Sequence, residues 1–513
     1  MSIRTFLNEN DLSYLLVNTT NEFLVEYNTL DENSLYKLTN FSGSTAYALV
    51  TPETIYLFVD GRYHIQADLE VNHSEVTVVK LQSGQNFLDS LRKILPEGAK
   101  LGLFSKKNSV KRVEELSEYY NLVLIENDPY DVELHQEFVP EIIDEELTGM
   151  TISQKGQKIS QIADIKENEV ILLTDLDDIS YLFNIRNYSI PYSSKIKGKA
   201  LVFKNSAELF TPDRFDELED FLRTTDFKVL IDPLTTNDFD RSIIKSDIYK
   251  ISNPVRYLRS IKTKEELEHL KDAFSRTDRT MGAIRDYINN NSNISEYDIA
   301  NKLEQEFMNN GAKGLSFKSI VAKDMNSALA HYSKSSKEEI IKDGSLVLID
   351  CGAYFDGGLA TDITRVFVKG EPSELNKKVY TTVLKAFLRG YNSVFRTGFE
   401  IDSEVREFLN MNAPEGFVFN HGLGHGIGVN VHEYPPNLSN SEKAKVEIKD
   451  GMCFTIEPGL YKEGEFGVRL ENSCYFLDGK IHSFVKMNYE QKLINFEMLN
   501  EQEKIWLNEF EVK

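Results

Sequence analysis

The sequence predicts two similar α/β domains followed by one larger α+β domain. Three observations lead there: a strand–turn–strand pattern that occurs twice at one fixed offset, strand and helix patterns alternating around both copies, and a change to long amphipathic helices near residue 262. At 513 residues the chain is too long for a single core and long enough for about three domains.

The first copy runs from Tyr47 to Tyr63 and the second from Lys199 to Phe215. Without a gap, Ala48, Leu49, Val50, Leu57, Phe58 and Arg62 match Ala200, Leu201, Val202, Leu209, Phe210 and Arg214. Each copy reads as a hairpin turning at Pro52-Glu53 or Asn205-Ser206. Identities at one offset point to duplication. Val170–Thr174 and Val229–Asp232 read as buried strands, Val113–Tyr120 and Phe215–Leu222 as helices. The polar stretch Thr148–Gly156 reads as a boundary. The expected domain limits are 1–147, 148–260 and 261–513.

In the third domain Thr263-x-x-Glu266 forms a capping box, opening a helix with Leu267, Leu270, Phe274, Met281, Ile284 and Ile288 on one face. Ser295-x-x-Asp298 opens a second helix that ends near Gly311. Pro372 is expected to begin a third, with Leu375, Val379, Val383 and Phe387 inward, and Asp402 to cap a short fourth around Val405 and Phe408. Strands are expected at Leu346–Asp350, Ile363–Val368, Met452–Glu457 and Gly467–Phe476, in a largely antiparallel sheet.

Composition removes several function classes. The 81 Asp and Glu against 58 Lys and Arg give a net charge of −23, which argues against nucleic acid or an anionic membrane as partner. The start, MSIRTFLNENDLSYLL, has no uninterrupted apolar core, so no signal peptide is read. No run of about 18 apolar residues suggests a membrane span. Three cysteines (Cys351, Cys453, Cys474), without CxxC, argue for small buried hydrophobes in a reducing, cytoplasmic compartment rather than for disulfides or a thiolate zinc site.

The chemistry gathers in the third domain. Four of the nine histidines stand at 331, 421, 425 and 432. Asp350 and Glu457 end apolar strands, Asp362 opens one, and Glu471 lies within one. A carboxylate on a core strand is costly unless paired or bound to metal, and four beside a histidine cluster point to metal. His421-Gly-Leu-Gly-His-Gly-Ile-Gly428 places glycine at alternate positions, which would leave room for a ligand near His425. The run does not fit GxGxxG, and His432-Glu-Tyr-Pro-Pro436 is not HExxH, because prolines break a helix. Four carboxylates and one imidazole exceed the needs of one ion. They suit two divalent ions with shared carboxylates and a bridging water, and hence hydrolysis of an acyl bond. An oxygen-rich set with one nitrogen favours Mn²⁺, with Co²⁺, Fe²⁺ or Zn²⁺ as alternatives.

At these residues the sequence resembles the family of creatinase, prolidase, methionine aminopeptidase and aminopeptidase P, whose catalytic domain has the pita-bread fold. The resemblance rests on Asp350-x-Gly, Asp362-Ile-Thr-Arg, His421-Gly-Leu-Gly-His-Gly, Val431-His-Glu, Glu457-Pro-Gly-Leu-Tyr and Val468-Arg-Leu-Glu471. Phe41-Ser-Gly-Ser, Val59-Asp-Gly-Arg-Tyr63 and Asp177–Arg186 are similar to the first two domains of the three-domain Xaa-Pro aminopeptidases. The resemblance implies two creatinase-N-terminal-like domains before a pita-bread domain, and a metal-dependent aminopeptidase that acts on peptides with proline second. It implies Asp350 on one metal, Asp362 and Glu471 bridging, and His425 and Glu457 on the second, with Glu457 also moving the proton of the bridging water. His331 and His432 would contact substrate and stabilise the tetrahedral intermediate. His421, Tyr461 and Arg469 would surround the substrate's proline. Arg469 and Glu471, two apart on one strand, would face the same way. A homodimer is also implied. A prolidase or a broader aminopeptidase of the same family is the first alternative, and a non-catalytic peptide-binding module the second. Asp350 and Asp362 stand one residue further apart than is usual in the family; the extra residue is expected in the turn within 354–361.

Overall fold

A computed structural model describes residues 3–26, 28–82, 85–131, 139–332 and 334–510. The chain divides into two units: Met1–Pro140 with Thr151–Ile185 and Lys195–Leu258, and Glu141–Met150 with Arg186–Ser194 and Arg259–Lys513.

The first unit contains both hairpins, and their ladders are the same. Tyr47↔Phe58, Ala48↔Leu57, Leu49↔Tyr56 and Val50↔Ile55 pair in the first. Lys199↔Phe210, Ala200↔Leu209, Leu201↔Glu208 and Val202↔Ala207 pair in the second, each partner displaced by 152 from its counterpart. In each copy the first hairpin strand runs antiparallel to an earlier strand, Tyr14–Asn18 or Glu169–Leu173. That strand pairs in parallel with a later one, Lys100–Phe104 or Lys228–Ile231. The six-stranded sheet is covered on both faces because its strands are apolar at successive positions. Leu15, Val17, Ala48 and Val50 enter one core cluster, while Leu16 and Leu49 enter another.

The stretch expected as a polar boundary is largely helical. Thr151 caps the helix Ile152–Ala163, with Gln154 completing a reciprocal capping box. The polar residues there satisfy the free N–H groups of a helix start and do not form a linker.

The second unit centres on an antiparallel sheet ordered Ile320–Lys323, Leu346–Cys351, Ile363–Val368, Glu471–Leu477, Cys453–Ile456, Gly424–Gly426, Glu433–Leu438, with Lys480–Ser483 paired to Glu471–Leu477. Helices Lys264–Asn290 and Glu296–Asn309 begin at capping boxes formed by Thr263 with Glu266 and by Ser295 with Asp298. The apolar stripe from Leu267 to Ile288 is buried as expected.

Two helix starts differ from expectation. The third helix is Glu374–Tyr391, capped by Ser373 with Asn376, so Pro372 lies before the cap and Leu375 is exposed. The fourth is Gly398–Asn412, capped by Thr397. Asp402 lies inside it and is buried, because Arg406 one turn on takes both its oxygens at 2.8 and 2.7 Å. Gly467–Phe476 is likewise not one strand. It breaks at Leu470 into Gly467–Arg469, paired with Gly459–Tyr461, and Glu471–Leu477 in the large sheet.

The hairpin that carries Asp350 and Asp362 keeps one register throughout. Asp350 opposes Thr364, Cys351 opposes Ile363, and the same register continues to Tyr354 opposite Ala360. Asp362 and Thr364 are two apart on one strand, so Asp350, Asp362 and Thr364 share a face. The tip is held from the helix Lys264–Asn290, where Gly357 N donates to His269 Nε2 at 3.1 Å. Burial pushes the His269 imidazole down to about 4. The unfolded chain therefore takes up a proton as pH falls below 6.5 while the native chain does not until about 4, and stability is lost across that window. His269→Gln keeps an acceptor for Gly357 but cannot titrate. It should reduce the stability lost between pH 7 and 4.5 by about 2 kcal/mol, measured by chemical unfolding at both pH values. Equal losses in the two proteins would overturn this.

Candidate metal centre

Every position singled out by sequence for chemistry lies in the second unit. Asp350, Asp362 and Glu471 are all buried. One ligand atom from each of Asp362, His425 and Glu471 lies within 4.8 Å of the other two. His425 Nε2 is 3.6 Å from Asp362 Oδ2 and 3.7 Å from Glu457 Oε1. The His425 ring is 4.2 Å from that of His432.

The hydrogen bonds leave one oxygen of three carboxylates unused. Asp350 Oδ2 accepts from Arg469 Nη2. Glu471 Oε2 accepts from the Thr364 hydroxyl at 2.7 Å. Asp350 Oδ1, Asp362 Oδ1 and Glu471 Oε1 are buried and have no hydrogen-bond partner among the described residues. Burial first, then the neighbouring carboxylates Glu471, Asp350 and Glu457, push Asp362 well above the ordinary carboxylate range. Burial, then Glu457 and Asp350, do the same to Glu471. Orphaned buried oxygens beside mutually repelling carboxylates are a costly arrangement in the bare protein, and cations offset that cost. The donors fit divalent metal.

His425 is oriented for the same purpose. Its Nδ1 lies 3.0 Å from the carbonyl of its neighbour Gly426. A proton on Nδ1 donates to that carbonyl and leaves the Nε2 lone pair toward Asp362 and Glu457. The glycines around it do a different task from the one expected. A side chain at Gly424 would collide with the Thr455 carbonyl of the next strand, and one at Gly428 with the Glu433 carboxylate. Their spacing admits protein, not ligand.

The expected proline-pocket residues form one chain of hydrogen bonds. Arg469 Nη1 donates to the Tyr461 hydroxyl at 2.7 Å. Because arginine can only donate, the Tyr461 proton is left for His421 Nε2, 2.9 Å away. His421 Nδ1 then carries its proton toward the Gly422 carbonyl at 2.8 Å. Burial raises the Tyr461 hydroxyl to about 12. From below, Arg406 holds the His421 carbonyl at 2.7 Å, and Asp402 accepts from Leu423 N at 3.2 Å.

Thr364, which the sequence reading passed over, joins pocket to carboxylates. Arg469 Nε approaches its hydroxyl oxygen at 3.3 Å, so its single proton goes to Glu471 Oε2. Arg469 and Glu471 lie on two different strands, yet their side chains meet at this hydroxyl. Strand alternation from Asp362 would have found Thr364. Glu433, next to His432, was also missed: it is buried between Arg259 at 2.6 Å and Lys262 at 2.9 Å. Burial opposes its ionisation, but those two cations outweigh burial and hold its carboxyl at about 2. The segment before His331 docks on the strand Gly467–Arg469, where the Ser327 hydroxyl donates to the Gly467 carbonyl at 3.0 Å. Cys351, Cys453 and Cys474 are buried and free, with Cys351 against the Met281 sulfur.

This fold and site define a chain with two leading α/β domains and a catalytic-type domain built around buried acids and histidines. Comparison with known proteins gives the same division. Residues 2–128 and 139–227 match family models described as creatinase/prolidase N-terminal domains, and 268–476 match metallopeptidase family M24. The catalytic domain thus resembles metallopeptidase family M24, and the two domains before it resemble creatinase/prolidase N-terminal domains.

Among relatives, a protein of Coprinopsis cinerea named probable Xaa-Pro aminopeptidase P is 27% identical over 99% of this chain and 93% of its own length. Xaa-Pro aminopeptidase 1 of Dictyostelium discoideum is 26% identical over 99% of this chain and 91% of its own. The X-prolyl aminopeptidase of Caenorhabditis elegans, described as a cytosolic enzyme with a di-nuclear active site, shares the fold at TM-score 0.87 and 23% identity, covering 97% of this chain and 90% of that one. The fold thus agrees with the expected pair of creatinase-type domains before a pita-bread domain. No helix among the described residues is long and apolar enough to cross a membrane.

Proposed function

We propose that the protein is a metal-dependent aminopeptidase that releases the N-terminal residue from peptides with proline in second position. The observation that carries this is the set of buried, unpartnered oxygens on Asp350, Asp362 and Glu471 around His425. The names of full-length relatives support the substrate class. Asp350, Asp362, His425, Glu457 and Glu471 would hold two divalent ions, with Mn²⁺ as the working choice. When bound, such ions acidify water and polarise a carbonyl.

The chain's own groups do the rest. Glu457 has the more exposed carboxylate, with 18% of its side chain accessible against 6% for Asp362. It accepts the proton of the attacking water on a carboxylate oxygen and returns it to the proline nitrogen as the amide bond breaks. His331 and His432 donate from ring nitrogens to the scissile carbonyl oxygen as it gains charge. His421, Tyr461 and Arg469, fixed by the hydrogen-bond chain above, surround the proline ring. The same proposal keeps domain limits at 147/148 and 260/261, a homodimer, and a cytoplasmic location suggested by three buried free cysteines.

Steady-state assays on a tripeptide X-Pro-Y and a dipeptide X-Pro, with and without Mn²⁺, test it. Metal-dependent cleavage of the tripeptide is expected. Cleavage of the dipeptide alone would make the protein a prolidase, and cleavage of neither would make it a binding module.

A further inference from the structure

Glu296 is the first residue of the helix Glu296–Asn309 and is fully buried. Its carboxylate accepts four hydrogen bonds, two on each oxygen. Oε1 takes Lys323 N at 2.6 Å and Asn326 Nδ2 at 2.9 Å. Oε2 takes the Tyr332 hydroxyl at 2.7 Å and Ser336 N at 2.9 Å. The first pair of donors precedes His331 in the chain and the second pair follows it. One carboxylate therefore closes the segment that carries His331, with one oxygen holding each flank.

Two further contacts fix where that closed segment sits. Ser327 Oγ donates to Gly467 O and accepts from Gly467 N at 2.9 Å, which ties it to the strand ending at Arg469. Asn326 Nδ2 also donates to the Tyr332 hydroxyl at 3.2 Å, bridging the two flanks directly. The lysine within reach does not neutralise Glu296: the Lys323 ammonium turns to Glu339 at 2.9 Å. Packing alone does not call for a buried charge at this place, since an apolar side chain fills space without the desolvation cost. Four donors converging from both flanks do call for an acceptor with two equivalent oxygens. The N-terminal end of a helix, where the carboxylate stands, favours its negative charge.

We propose that Glu296, through Lys323, Asn326, Tyr332 and Ser336, is a positioning residue that sets the place of the His331 imidazole. This rests on the reading that His331 meets the substrate. A displacement of about 1 Å in such a group costs about a hundredfold in rate.

The test is a double-mutant cycle on Mn²⁺-loaded enzyme with a prolyl tripeptide. Glu296→Gln and Tyr332→Phe are each made alone and with His331→Ala, and folding is checked by circular dichroism. Glu296→Gln should lower kcat about tenfold to a hundredfold with KM within about threefold. Tyr332→Phe, which removes one donor only, should lower it by less and serves if Glu296→Gln does not fold. In the His331→Ala background neither should cause a further loss beyond about twofold, because both act through the removed ring. Losses that multiply in the double variants would overturn the proposal, as would full activity of both single variants. His331→Ala equal to wild type would remove the role of His331 and the proposal with it, whereas wild type inactive on every peptide would instead defeat the enzymatic reading.

Discussion

Glu457→Ala should lower kcat on a prolyl tripeptide at least about a thousandfold. The residue directly follows the strand Cys453–Ile456 and is fixed there by its own N–H, which donates to the Leu423 carbonyl at 2.8 Å. That bond joins it to the chain between His421 and His425, so backbone and side chain belong to the same constellation. Its carboxylate is assigned two tasks, holding a cation beside His425 and carrying the proton from water to the leaving nitrogen. Alanine removes both. Glu457→Gln separates them, since the amide retains one coordinating oxygen but cannot accept the proton. Metal content measured by mass spectrometry beside kcat tells the two apart. Glutamine should leave metal binding closer to wild type than alanine does while kcat stays low. Metal-dependent turnover within about tenfold of wild type in Glu457→Ala would refute the assignment.

Glu433→Gln should cost about 3–5 kcal/mol of stability, because it removes the carboxylate charge that the buried cations Arg259 and Lys262 both face. Both are almost wholly inaccessible, so water cannot take over the role of the carboxylate. The pH dependence follows from the same group. Its carboxyl lies at about 2 in the folded chain against 4.5 ordinarily, so its contribution is complete above pH 4.5 and lost as pH falls from there toward 2. Replacing all three residues together by apolar side chains of similar volume should recover most of the loss. Chemical unfolding at pH 7 reads the result, and a loss below about 1 kcal/mol in Glu433→Gln would sink it. Since His432 is the preceding residue, the variant should also lower turnover.

What the sequence revealed and what it hid differ by range of interaction. The capping boxes at Thr263 and Ser295 are complete within four residues, and the helices begin where those residues say. The repeated hairpins are equally local, and their ladders match pair for pair. The helix starts near Pro372 and Asp402 are exceptions to this division by range. Ser373 and Thr397 are equally local caps, and Asp402 has a partner in Arg406 that makes burial tolerable. The acids and histidines were legible because charge on an apolar strand is conspicuous. Their supports were not. Lys262 lies 171 residues from Glu433, and Tyr332 lies 36 from Glu296. No spacing rule joins such residues before the fold does. The alternate glycines around His425 show the reverse error: a visible pattern whose cause, the Thr455 carbonyl of the neighbouring strand and the return of the Glu433 carboxylate onto Gly428, is not signalled by the spacing.

The unbroken register of the hairpin between Asp350 and Asp362 has an evolutionary consequence. Residues gained or lost at the tip beyond Tyr354 and Ala360 leave every pair below them unchanged, so lineages can drift in loop length there without disturbing the two aspartates. A single insertion lower down, between Asp350 and Tyr354, would rotate one aspartate to the opposite side of the sheet. Length variation among descendants of this chain should therefore accumulate at the tip and be purged from the ladder.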